Sequence, residues 1–376
     1  MIRKKATLTF IIPTYNRVYF LEQGLNRLRS EIETYQFQNK VEIIVGNNCS
    51  KDGTEVFLNQ WKQDNPELNV KIYHHKTNLG VVKNLVFLIQ EAKGKFWMFY
   101  GDDDFIPKGV LPDLISYLKT NSDYPVHIFN QTILKPIVKE NLISIEECAS
   151  RYFYYMGNAC SVANTKLSHE VIKLNLDEIS NTCWPQTAIY FFVLLKNEFQ
   201  PMVSPLVIFE EQQKDKNNIP NSFYLYDSAY ASLVLLAIQI ENIFVSKVNF
   251  NWFLTGIKRD KSFFIDFILK RVLLHYFVAD TRDQQKSFKK LLARLFSENK
   301  FWVRFQLVKI YILITLLNRK WFLFLFLFSK TLSNSRSVFG FLNLFKINKQ
   351  NLTDFAKQHE KSKHQLHSHE INQGEW

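Results

Sequence analysis

Along the first 130 residues the apolar positions alternate between two rhythms. Residues 7–12 (Thr-Leu-Thr-Phe-Ile-Ile) make a short, mostly apolar run closed by Pro13, the pattern of a buried strand and a breaker. Leu21, Leu25, Leu28, Ile32 and Tyr35 then recur three and four apart, the stripe of an amphipathic helix. Residues 41–45 are a second strand, ended by Gly46-Asn47-Asn48, and residues 52–61 a helix capped by Ser50 or Asp52. A third strand falls at 70–73. Val81, Leu85, Leu88 and Ala92 mark a third helix, stopped by Gly94. Residues 96–100 are a fourth strand, 107–118 a fourth helix and 126–129 a fifth strand. Strands that read as continuous apolar runs, alternating with helices, predict an α/β fold with a mostly parallel sheet covered on both faces. Ligands of such sheets bind beyond the carboxyl ends of the strands.

The rhythm is lost in the middle, at about 130–230, and a helix is predicted at 227–245. The last third reads as helical. Residues 305–317 are apolar apart from Gln306 and Lys309, Asn318-Arg319-Lys320 interrupt them, and 321–328 are wholly apolar. Neither piece reaches the roughly 18–20 residues of a spanning helix. Three readings are open: a hydrophobic hairpin in a core, a membrane-surface element, and a true span. Cations interleaved with Trp and Phe favour the membrane surface. From residue 346 the chain is polar and is read as a disordered, solvated end, although it holds His359, His364, His367 and His369.

Charge sharpens this division. The net formal charge of +12 is uneven: residues 241–376 carry 23 Lys and Arg against 10 Asp and Glu, while residues 1–125 carry 16 against 14. The excess therefore points to one basic surface rather than a generally basic protein. With aromatic side chains at 15% of 376 residues, a large core is available. The four cysteines (Cys49, Cys148, Cys160, Cys183) show no CxxC spacing, and Met1-Ile2-Arg3-Lys4-Lys5 is too short for a signal peptide. Both predict a reducing cytoplasm and free thiols.

Three polar motifs fall at predicted strand ends: Pro13-Thr14-Tyr15-Asn16-Arg17, Gly46-Asn47-Asn48-Cys49-Ser50 and Asp102-Asp103-Asp104. The last stands directly behind Phe96-Trp97-Met98-Phe99-Tyr100. Three like charges behind a buried strand repel one another unless a cation neutralises them. Carboxylate oxygens suit a hard divalent metal, which is useful where a substrate brings phosphates.

Taken in order, Phe10-Ile11-Ile12-Pro13-Thr14-Tyr15-Asn16-Arg17, Asn48-Cys49-Ser50-Lys51-Asp52-Gly53-Thr54, Asn78-Leu79-Gly80-Val81-Val82-Lys83-Asn84, Gly94-Lys95-Phe96-Trp97 and Asp102-Asp103-Asp104 resemble family 2 glycosyltransferases, in particular the abequosyltransferase-like branch acting on bacterial surface polysaccharides. The resemblance covers about residues 6–125. It implies a GT-A fold, a Rossmann-like nucleotide-diphospho-sugar transferase domain, followed by a largely α-helical C-terminal region. The implied organisation is residues 1–230 as the GT-A domain (1–125 for the nucleotide sugar, 126–230 for the acceptor), 231–345 as a basic membrane-associating region, and 346–376 as a tail.

The resemblance also implies roles. Pro13, Thr14, Tyr15 and Asn16 would hold base and ribose, with Tyr15 stacking on the base. Asn47 stands where the family usually has an Asp that accepts the uracil N3–H. An amide can donate as well as accept, so a base other than uracil becomes admissible. Asn78 and Lys83 would lie near the nucleotide and diphosphate. Asp104 and Asp102 match the outer acids of the DxD motif and would hold Mg²⁺ or Mn²⁺, with Asp102 also near the ribose and Asp103 toward the sugar. Inverting members carry an acid as base some 70–90 positions later, where this chain has Trp184-Pro185-Gln186. Asp177 and Glu178 are the substitute candidates, and Trp184 and Gln186 are assigned to the acceptor side.

The expected activity is transfer of a sugar from a nucleoside-diphosphate donor to a lipid-linked oligosaccharide of capsule, O-antigen or lipooligosaccharide. It would be metal-dependent and inverting, by an enzyme peripheral on the inner face of the cytoplasmic membrane and held there by anionic lipid. The rival readings are an inactive glycan-binding relative, prompted by Gln186, and a nucleic-acid-binding protein using the basic third. The aromatics of that third lie in apolar runs, which suits lipid better than bases, so nucleic acid is not an expected partner.

Overall fold

Apolar runs of four to seven residues can bury both faces only inside a layered sheet, and here they do. The structure is a computed structural model that describes residues 6–131, 137–157, 159–180, 182, 184–196 and 198–211, with Ile240, Ile243, Phe244, Lys247, Val248 and Phe253 beyond them. All of these belong to one compact unit. The predicted helix at 227–245 falls mostly outside the described residues. The apolar segments at 305–328 and the histidine-bearing tail lie wholly outside them.

In chain order the elements are β1 (Leu8–Thr14), α1 (Val18–Thr34), β2 (Val41–Asn47), α2 (Thr54–Asp64), β3 (Val70–His74), α3 (Gly80–Glu91), β4 (Phe96–Phe99), β5 (Asp104–Phe105), α4 (Leu111–Thr120), β6 (Val126–Gln131), β7 (Asn141–Leu142) and α5 (Ile145–Glu147). A π-helical stretch, Cys148–Tyr152, leads into α6 (Phe153–Gly157). Then come β8 (Ser161–Asn164), α7 (Thr165–Leu174), α8 (Leu176–Ser180), α9 (Pro185–Lys196) and β9 (Met202–Glu211). The sheet order is β3-β2-β1-β4-β8-β6-β9-β5, with β7 on β9. Strands β3, β2, β1 and β4 are mutually parallel. Strand β8 runs antiparallel between β4 and β6, and β9 is parallel to β6.

Two sequence expectations shift. The first strand does not stop at Pro13 but continues to Thr14, with Pro13 opposite Gly46. Strand β4 accompanies β1 only to Ile11, so at Pro13 the missing N–H faces a strand with a single neighbour. The fourth helix begins at Leu111 rather than 107, because Gly109 turns the chain at φ 79° first. The irregular middle contains real elements: β7, α5, α6 and α8 are too short to leave a period, α9 is buried all round and so shows no stripe, and the antiparallel β8 is the one that matters most for topology.

Side chains alternate across the strands and sort the helices into layers. Leu8, Phe10, Ile12, Val41, Ile43, Val45, Phe96 and Met98 share a core with Leu21, Leu25 and Leu28 of α1, Leu58 and Trp61 of α2, and Leu111, Leu114 and Leu118 of α4. The opposite face is covered by α3, α7 and α9, where Trp97 stacks on Tyr190 and its Nε1–H donates to Ser168 Oγ at 2.8 Å. Helix α9 is buried on every side from Pro185 to Leu195. Its Phe192 packs on Phe244, and Phe191 on Phe153 and Phe253.

One carboxylate is buried at the far end of the sheet. Glu42, 2% exposed, receives the Thr9 hydroxyl (2.7 Å), the Lys71 ammonium (2.7 Å) and the Lys93 N–H (2.7 Å), so it ties β1, β2, β3 and the α3–β4 turn together. Burial alone would raise its pKa, but these donors together hold it below the usual carboxylate range.

His127 of β6 is fully buried, edge-on to the rings of Phe96 and Tyr117. Burial lowers its pKa to about 4. The native state thus keeps it neutral while the unfolded chain takes up a proton near pH 6.5, so its contribution is intact above that pH and is lost as pH falls toward 4. The loss amounts to at most about 3 kcal/mol across that window. Denaturant unfolding between pH 7 and 4.5 should show wild type losing stability relative to His127→Phe as pH falls. Parallel pH profiles for the two proteins would refute this.

Candidate active site

Parallel strands β1, β2, β3 and β4 end at the same edge of the sheet, so the loops that follow them meet there. Polar side chains stitch them. Asn16, at φ 53°, accepts the Lys51 N–H on its Oδ1 (2.7 Å) and donates its own N–H to Ser50 Oγ (2.9 Å). Asn48 donates to Asn78 Oδ1 (2.8 Å) and accepts the Leu79 N–H (2.8 Å), joining the second loop to the start of α3. Asp52 serves two helices: one oxygen accepts the Val18 N–H of α1 (2.9 Å), the other the Thr54 hydroxyl (2.5 Å) and N–H of α2. The predicted cap is therefore Asp52, although the residue at the helix boundary is Gly53, in the left-handed region.

Strand β4 runs into the acid loop. Gly101 N–H donates to Asp104 Oδ2 at 2.7 Å, folding the loop back on itself. Thr14 Oγ1 donates to Asp102 Oδ2 at 2.8 Å. Arg17 Nε lies 3.0 Å from Asp102 Oδ1, a second guanidinium nitrogen pairs with Asp103 Oδ2, and the guanidinium sits over the Phe20 ring. Helix α1 presses on the loop from behind at Gly24, where a Cβ would lie 3.3 Å from the Asp102 carbonyl oxygen. On the other side Asp104 pairs with Glu211 and Phe105 with Glu210 in the β5–β9 ladder, and Glu210 accepts from Arg27 at 2.7 Å.

The electrostatics are unbalanced. Among the described residues, three carboxylates face one guanidinium, a formal charge of −2. Burial pushes Asp102 up to about 7, with Arg17 pulling it back and Asp103 adding to the rise. Burial and the Asp103 charge likewise push Asp104 well above the usual range. No three His, Cys, Asp or Glu side chains converge into a metal cage among the described residues. The donor set nevertheless fits a hard divalent cation: Mg²⁺ is commonly held by one or two carboxylates plus substrate phosphates, and the loop carries negative charge that its own residues leave uncompensated.

The structure brings Pro13, Thr14, Tyr15, Asn16, Asn47, Asn78, Asp102, Asp103 and Asp104 into this one set of loops, with Tyr15 half-buried. Lys83 is exposed on the first turn of α3. Asn47 is in place but turned inward: it is 1% exposed, its Oδ1 accepts the Ser50 N–H (3.0 Å), and its Nδ2 meets His74 Nδ1 (3.1 Å). Its amide holds the loop, and a base reaches it only by exchanging one of these bonds. Asp177 and Glu178 are exposed on the short α8, and no hydrogen bond or ion pair links them to the acid loop among the described residues. Trp184 is half-buried before α9, and Gln186 is buried with its amide donating to the Gly157 carbonyl (3.1 Å). Sequence reasoning assigned no role to Arg17 or Asn48, and of Asp52 it read the cap on α2 but not the bond to Val18 of α1. The available signal for Arg17 was that it is the one cation in a motif predicted to face three acids.

A model of Glycosyl transferase family 2 matches residues 9–197, half of the chain. Abequosyltransferase RfbV of Salmonella typhimurium is 32% identical over 116 residues, 31% of this chain and 34% of that protein. Poly(ribitol-phosphate) beta-N-acetylglucosaminyltransferase TarS of Staphylococcus aureus is 29% identical over 110 residues, 29% of this chain and 18% of that protein. The matches thus span 34% of the one relative and 18% of the other. Crystal structures of S. aureus TarS 1–349, one of them in complex with UDP-GlcNAc, align with TM-scores of 0.52 and 0.53. They cover 82% of this chain and 90% of theirs at 16% identity, a likeness of fold.

The stitching predicts a measurable cost at Asp52. Asp52→Ala removes the acceptor at the starts of both α1 and α2 and should destabilise by about 2 kcal/mol, while Asp52→Asn, which keeps an acceptor oxygen, should lose less. Chemical denaturation of the three proteins decides it, and equal stability of Asp52→Ala and wild type would show the double cap to be inert.

Proposed function

The chain belongs to glycosyl transferase family 2, and from that premise we propose that it moves a sugar from a nucleoside-diphosphate donor to a lipid-linked oligosaccharide of the bacterial surface, with a divalent cation and with inversion at the anomeric carbon. That it is a nucleotide-sugar-dependent transferase with the GT-A arrangement of sheet and helices follows from the family and the fold. The donor, acceptor and stereochemistry are the proposal. The observation that carries it is the acid loop, under-neutralised at the carboxyl edge of the sheet between the Thr14–Arg17 loop and α1.

In this reading Tyr15 stacks on the base, and the loop of Pro13, Thr14 and Asn16 receives base and ribose. Asn78 and the exposed Lys83 lie by the diphosphate at the start of α3, where the helix dipole also favours negative charge. Asp104, with Asp102, would hold Mg²⁺ or Mn²⁺; when bound, the cation offsets the charge that builds on the departing nucleoside diphosphate. The acceptor hydroxyl attacks the anomeric carbon as the bond to the diphosphate breaks, and its proton passes to a base.

Asp177 and Glu178 are the proposed bases, reachable from solvent on α8, with Trp184 and Gln186 on the acceptor side. One observation favours a second reading, an inactive glycan-binding relative: the residue at the start of α9 is Gln186, whose amide cannot take a proton and is already committed to Gly157. Donor hydrolysis or sugar transfer by the purified protein excludes that relative.

The proposed organisation keeps residues 1–230 as the catalytic domain, 231–345 as the membrane-facing part and 346–376 as a tail. No helix among the described residues is long and apolar enough to cross a membrane. Support for peripheral attachment to the cytoplasmic face is the charge of residues 241–376, where cations interrupt apolar runs rich in Trp and Phe.

Two outcomes test the proposal. Asp104→Asn keeps an oxygen for the Gly101 N–H but loses the charge, so it should fold normally yet lose at least about 100-fold in turnover, and UDP with Mn²⁺ should no longer raise its melting temperature. Wild-type turnover in excess EDTA would remove the cation from the mechanism. Separately, full-length protein should sediment with phosphatidylglycerol vesicles at low salt, less at about 0.5 M salt, and not with phosphatidylcholine alone. Indifference to vesicle charge would place the basic third elsewhere than on a membrane.

A further inference from the structure

We propose that Arg17 is a built-in counter-ion of the acid loop, a positioning residue that holds its carboxylates in place and keeps the site from taking a cation before the donor arrives. The inference rests on reading that loop as the cation site.

The geometry divides the triplet unequally. Arg17 engages Asp102 through Nε at 3.0 Å and Asp103 through a second nitrogen, while the other Asp102 oxygen is held by Thr14 at 2.8 Å. Asp104 is held instead by the Gly101 N–H. Arg17 is itself fixed. It is the last residue before α1, its carbonyl accepts the Phe20 and Leu21 N–H groups, and its guanidinium lies over the Phe20 ring 5.1 Å from the centroid. Its side chain is only 15% exposed. A forked, packed guanidinium on two carboxylates is a different object from a loose surface ion pair.

Two consequences follow from one positive charge beside a cation site. It repels an incoming metal ion, and it attracts the donor's diphosphate. The loop therefore favours the metal–diphosphate complex over the bare ion. The fork adds orientation, because its two ion pairs fix the Asp102 and Asp103 carboxylates beside Asp104.

The sign of the effect separates this role from simple support of the fold. Free Mn²⁺ counted by electron paramagnetic resonance gives the affinity of the full-length protein for the bare ion. Calorimetry with UDP in EDTA gives its affinity for the anion alone. In Arg17→Gln, Mn²⁺ should bind roughly tenfold or more tightly than in wild type, and UDP without metal should bind several-fold more weakly, since a unit charge is lost from a poorly solvated site. Arg17→Lys keeps the charge but not the fork: both affinities should stay within about threefold of wild type while sugar transfer falls by tenfold or more. Melting curves of both variants confirm folding. Unchanged or weaker Mn²⁺ binding in Arg17→Gln, or two variants that fall together in every measurement, would overturn the inference. Wild type that binds no Mn²⁺ with or without UDP would instead remove the cation site itself, and this role with it.

Discussion

Three carboxylates occupy consecutive positions behind a strand with no exposed face, and the edge of the sheet is organised around keeping them there. Their mutual repulsion has to be met by something positive or by donors. The chain supplies a hydroxyl from β1, one guanidinium from the start of α1 and one N–H from the loop itself. The first two come from a neighbouring strand end and the helix that follows it, so the parallel pairing of β1 with β4 is what brings them within reach.

The same sheet shows the contrary solution at its other end. Glu42 is more deeply buried than any member of the acid loop, yet its oxygens are met by an ammonium, a hydroxyl and backbone N–H groups. It is held ionised, whereas Asp102 and Asp104 are pushed toward neutrality. A satisfied buried charge fastens strands together. An unsatisfied one stores a preference for whatever arrives to complete it.

The first 125 residues were legible because their helices are long enough to carry a period, α1 showing its stripe over seventeen residues, and because β1, β2 and β4 are built on apolar runs in which Glu42 is the one acid. The acid loop was legible because clustered charge after an apolar run has few structural uses. Asn47 was readable as a position but not as a contact, since its inward turn depends on Ser50 and on His74, which stands 27 residues away on another strand. Arg17, and the bond from Asp52 to Val18, were hidden for the same reason. Their partners are distant in sequence, and a single cation or a single acid leaves no pattern. Strand β8 is as long as β4 but has polar Ser161 and Asn164 at its ends and only two apolar residues between, so it was lost, and with it the switch from parallel to antiparallel order.

Helix α9 has no free side, and that has a mechanical meaning. A helix with one solvated face can tilt by sliding over its neighbour. One enclosed from Pro185 to Leu195 can shift only if the residues around it shift too. A displacement felt at Gln186, where the helix meets Gly157, is delivered at the far end to Phe191 and Phe192, and from them to Phe253 and Phe244. The helix behaves as a push-rod rather than a hinge. It links Phe244 and Phe253 to Gln186 along a route that bypasses the loops at the carboxyl ends of β1, β2 and β4.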